Sequence, residues 1–102
     1  MSTILDRERT HNGITRGAPG VGADPYRISI PSEEVYIGYK LEVPGGNKNP
    51  TAYISLEPPL GATGGPHPFV VSWRFNGDRP GRRTFVKYRI QVFSGLGVQV
   101  IP

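Results

Sequence analysis

The stretch Arg-Thr-Phe-Val-Lys-Tyr-Arg-Ile-Gln-Val-Phe, residues 83–93, decides the fold. Thr84, Val86, Tyr88, Ile90 and Val92 alternate with Phe85, Lys87, Arg89 and Gln91, the period of two that puts one face of a strand on a core and the other on solvent. A helix would repeat its apolar residues every three or four positions instead.

Upstream, Phe69, Val71, Trp73 and Phe75 alternate with Val70, Ser72 and Arg74, which assigns Trp73 to the core. Between these strands lie Asn76, Gly77, Asp78, Arg79, Pro80 and Gly81. Asn-Gly supplies the positive φ angles of a tight reversal, so the two strands are expected to pair as a hairpin. Farther back, Thr51 to Leu56 points Ala52, Ile54 and Leu56 inward. In Val35 to Val43 the odd positions read as inward, with Glu34, Tyr36, Gly38, Lys40 and Glu42 outward. Tyr26 to Ile30, bracketed by Pro25 and Pro31, reads as an edge strand, because proline cannot donate to a ladder. Val98 to Ile101 reads as a last short strand after the Gly95–Gly97 break. About six strands without a helical pattern predict an all-β chain: a small antiparallel β-sandwich, jelly-roll or Ig-like, or a small barrel.

Residues 1–24 show no sustained period, only Ile4, Leu5, Ile14 and Val21 among polar and glycine-rich sequence. They read as a flexible N-terminal arm, preceding a single β domain over residues 25–102. One core is the expectation for 102 residues, and a domain this small gains from the burial that oligomerisation supplies. No apolar run approaches 18 residues and no secretory leader pattern opens the chain, so neither a membrane segment nor export is expected.

Zero cysteines exclude disulfides, thiolate metal sites and cysteine nucleophiles. The two histidines, His11 and His67, lack metal-ligand spacing, and no cofactor is expected. No G-x-S-x-G, phosphate loop or calcium loop occurs. Of the acids Glu33, Glu34, Glu42, Glu57 and Asp78, Glu34 and Glu42 read as solubilising side chains on an exposed strand face. The expectation is a protein without enzymatic activity.

The net charge of +4 is uneven: from Gly65 onward six bases meet one acid, and before it six bases meet seven acids. Arg79, Arg82, Arg83, Lys87 and Arg89 therefore form a basic region, and Tyr36 and Tyr53 read as outward aromatic anchors. With Ile4, Leu5, Ile14 and Val21 of the arm, these are the candidate partner-binding residues. They point to a structural protein of a larger assembly, such as a phage decoration, cement or minor capsid component of a virion, made in the host cytoplasm. Its partners would be neighbouring subunits, as a homo-oligomer or on a shell protein. One alternative is a lectin-like carbohydrate-binding module using the outward tyrosines and the loop from Glu57 to Pro68. Another is a small barrel binding single-stranded nucleic acid through Arg83, Phe85, Lys87 and Arg89.

Overall fold

A computed structural model describes residues 1–15, 21–43, 50–75 and 82–96; within these, side chains at 11–15, 21, 50–53, 75 and 82–86 are not described. Six strands follow in chain order: β1 (Ser2–Thr15), β2 (Val21–Ile28), β3 (Glu34–Glu42), β4 (Pro50–Leu56), β5 (His67–Phe75) and β6 (Arg82–Leu96). They form two three-stranded antiparallel sheets, ordered β1-β6-β3 and β2-β5-β4. No helix occurs among the described residues.

The alternation of the central strands has its expected effect. Tyr88, Ile90 and Val92 of β6 and Phe69, Val71 and Trp73 of β5 are buried, and with Ile28, Ile30 and Tyr36 they form one cluster drawn from both sheets. Tyr36 and Tyr39 meet the Phe69 ring edge-on, at centroid distances of 6.4 and 5.5 Å. Trp73 lies 6.3 Å from Tyr88. Each large apolar side chain removed from water here contributes about 1.5–3 kcal/mol before entropy is counted. Pro25, opposite Val70, sits in β2 at the edge of its sheet, the place in a sheet that accommodates proline.

Four expectations are corrected. The segment read as an arm is strand: β1 pairs with β6 from Ser2↔Ser94 to Thr15↔Arg82, and β2 begins at Val21. Ile4 and Leu5 pack against the chain's own core. Backbone pairing holds β1, and as an edge strand it tolerates Arg7 and Arg9 opposite the buried Ile90 and Tyr88. Such inward charges protect an edge from stray pairing. The expected hairpin does not form either. β5 pairs with β2 and β4 while β6 pairs with β1 and β3, so the two strands lie in different sheets; residues 76–81 lie outside the described ones. An Asn-Gly reversal does not choose the neighbour.

The other two corrections come from β-bulges. On β3, Tyr36 pairs with Ser94 but Gly38 pairs with Phe93, so Ile37 is an extra residue and the side-chain alternation flips there. Glu34 and Tyr36 therefore face the core side before the bulge, and Tyr39 and Leu41 after it; Tyr36 is 1% exposed. On β4, Ile54 pairs with Val71 and Leu56 with Val70, which turns Leu56 outward. The expected strand at 98–101 lies outside the described residues.

The segment between β4 and β5 is fastened to the ends of both sheets. Ile30 N–H donates to the Gly64 carbonyl at 2.9 Å, Tyr36 N–H to Ala62 at 2.8 Å, and Gly61 N–H to Tyr36 at 2.9 Å. Pro58 is buried and Ala62 packs on the core. The Tyr36 hydroxyl donates to Glu57 at 3.3 Å.

Candidate docking face

The outward faces of the two sheets differ in chemistry. On the β1-β6-β3 sheet, acids and bases pair both across strands and along one. Arg89 grips Asp6 through Nε at 3.1 Å and a terminal nitrogen at 3.0 Å; Gln91 adds a bond at 3.4 Å. Lys87 lies 3.5 Å from Glu8, and Lys40 3.2 Å from Glu42. The Asp6 carboxyl is held below its usual range, chiefly by the hydrogen bond from Arg89, whose own value rises in return. This face is a solvated surface whose charges answer one another.

The β2-β5-β4 sheet presents rows without acids. Register sets Pro25, Val70 and Leu56 in one row across the three strands, and Ala23 and Ser72 with the backbone of Tyr53 in the next. Leu56 is 49% exposed, Ala23 and Pro25 are exposed, and Val70 is partly so. The Ser55 and Ser72 hydroxyls bond to each other at 2.7 Å, taking up polar groups that would otherwise face outward. Arg27, opposite Pro68, stands at one end of the face and Arg74 at the other. Among the described residues no carboxylate forms an ion pair with either arginine. Next to Arg27, Pro66, His67 and Pro68 complete a cleft of about 270 Å³.

Of the residues expected to bind partners, the described ones fall at separate places in the fold. Ile4 and Leu5 belong to the core margin, and Tyr36 is buried, with desolvation pushing its hydroxyl well above its usual value. Lys87 and Arg89 sit outward on β6, each facing an acid of β1. Ile14, Val21, Tyr53, Arg82 and Arg83 are strand positions whose side chains lie outside the description, as does Arg79 altogether. Glu34, read as solubilising, instead accepts from Ser94 at 2.7 Å and Ser2 at 3.2 Å.

Sequence reasoning missed Ala23, Pro25, Leu56 and Val70, because their grouping exists only once strand order and the β4 bulge are known. It also missed a hydroxyl chain between the sheets: Tyr26 and Tyr88 are 2.6 Å apart, and Tyr88 donates to Asp24. Burial first, then Asp24, pushes the Tyr88 hydroxyl far above its ordinary value, so it stays protonated. No cluster of three or more metal-ligating side chains occurs among the described residues, and no helix among them is long and apolar enough to cross a membrane. Compared with protein-family models, with curated proteins and with solved structures, the chain matches none.

Proposed function

We propose that this chain is a non-enzymatic assembly protein whose two sheets act as the layers of a β-sandwich, docking on neighbouring protein subunits as a decoration, cement or minor component of a virion shell. One observation carries the reading: the outward row Pro25, Val70 and Leu56 is apolar and bounded by bases, while the opposite outward face pairs its own charges. A contiguous apolar patch on a small domain marks an interaction site. Docking occurs through this face, in place of an arm laid across a neighbour.

Two observations weigh for this reading over the alternatives. Of Arg83, Phe85, Lys87 and Arg89, the residues of a nucleic-acid surface, Lys87 and Arg89 face Glu8 and Asp6, while the side chains of Arg83 and Phe85 lie outside the description. Of the tyrosines of a carbohydrate surface, Tyr36 is buried and the Tyr53 side chain lies outside the description, and the loop from Glu57 to Pro68 is tied to Ile30 and Tyr36.

The test is co-sedimentation of the full chain with intact particles from its source. The wild-type chain is expected to travel with particles, and Val70→Lys to remain free while folding normally. A wild-type chain that stays unbound beside particles overturns the reading.

A further inference from the structure

We infer that the cleft between Arg27 and His67 is a carboxylate seat, taking an aspartate or glutamate side chain of the partner that covers the apolar row; the inference rests on the docking role proposed above. Four residues line the cleft, Arg27, Pro66, His67 and Pro68, and none is an acid. Arg27 is exposed and has no carboxylate partner among the described residues, so its planar fork of donors is available for a two-point grip on an incoming carboxylate. The two prolines add rigid apolar walls beside the guanidinium. The His67 ring is fixed by a 2.9 Å bond between Nε2 and the Thr63 carbonyl. A carbonyl only accepts, so Nε2 carries the proton and the ring stands as an oriented wall.

Position ties the seat to the partner. Arg27 is two residues along β2 from Pro25 on the same outward face, so a carboxylate held there lies at the end of the Pro25, Val70, Leu56 row. A second copy of this chain fits poorly, because the same face brings Arg27 and Arg74 and no acid. The occupant is an apolar ridge bordered by a carboxylate.

The test is a nuclear magnetic resonance titration of the full chain, reading the Arg27 Nε–H and the His67 ring, at constant ionic strength. Three probes are used: acetyl-Leu-Val-Asp-amide, acetyl-Leu-Val-Asn-amide and sodium acetate. The aspartyl peptide is expected to give saturable shifts at both residues, the asparaginyl peptide none, and acetate the same shifts at higher concentration. Arg27→Gln should weaken the aspartyl peptide on the order of tenfold, as loss of a charge-assisted bond does, while Lys40→Gln on the opposite sheet leaves it unchanged. Equal response to the asparaginyl peptide, or binding that survives Arg27→Gln, overturns the seat. Acetate binding as tight as the peptide overturns the assignment to a protein partner. Acetate is also titrated into Val70→Lys, where its response should persist, so failure of the docking role and failure of the seat give different results.

Discussion

Glu34 on β3 accepts a 2.7 Å hydrogen bond from the buried Ser94 on β6, and its second oxygen accepts from Ser2 on β1 at 3.2 Å, so one carboxylate ties all three strands of its sheet. Those hydroxyls hold Glu34 below its ordinary value of 4.5, and the Arg89 hydrogen bond holds Asp6 below 3.8. Because the folded values lie lower, the unfolded chain binds protons first as pH falls. The stability both groups supply is complete above their unfolded values and drains away as pH drops through the folded ones. The urea midpoint should therefore decline below about pH 4.5, with a shallower decline in Glu34→Gln and in Asp6→Asn. Identical acid limbs in wild type and both variants would contradict this.

Gly22 of β2 faces Trp73 so closely that an added Cβ would collide with the indole. Gly22→Ala must push the ring or the edge strand away, and overpacking of this kind costs about 1–3 kcal/mol. Urea denaturation followed by Trp73 fluorescence measures it, and an unchanged midpoint and emission maximum would show that the contact yields freely.

Tyr88→Phe removes the hydroxyl that joins Tyr26 to Asp24 between the sheets. Loss of that link between partly buried groups costs about 1 kcal/mol. Tyr26→Phe should cost less, because Tyr26 is only partly buried and the Tyr88–Asp24 bond survives. Equal destabilisation by the two variants, read by thermal or urea melts, would sink this ordering.

Deleting Ile37 removes the extra residue of the β3 bulge. Either Glu34 and Tyr36 or Tyr39 and Leu41 must then turn to the wrong face, as a one-residue slip demands. The deletion should abolish cooperative unfolding at 25 °C. Gly38, at φ +144°, is the milder probe: Gly38→Val imposes a backbone conformation that costs about 1–3 kcal/mol. A deletion variant with a sharp melt and native-like dispersion would refute the bulge as the source of the inverted alternation.

Alternation was legible wherever a strand is buried on one face between two neighbours: Tyr88, Ile90 and Val92, or Phe69, Val71 and Trp73, needed no coordinates. β1 was not legible, because Arg7 and Arg9 occupy its core-facing register and only hydrogen bonding to β6 defines it. The Gly38 bulge left a trace, a glycine inside a strand pattern, but the odd-even rule ran straight through it. The docking face stayed hidden for a different reason. Pro25, Val70 and Leu56 lie on three strands, and no local pattern carries strand order.

The marriage of β1 to β6 also sets a timetable. Ser2 meets Ser94 and Thr15 meets Arg82, so during synthesis β1 waits for its partners 67 to 92 residues farther along before their ladder can close. At about 5–20 residues per second the wait is roughly 3–18 s. Until then β1 has no partner strand, and Asp6, Arg7, Glu8 and Arg9 give it the kind of charged run that discourages an unpaired segment from joining other chains.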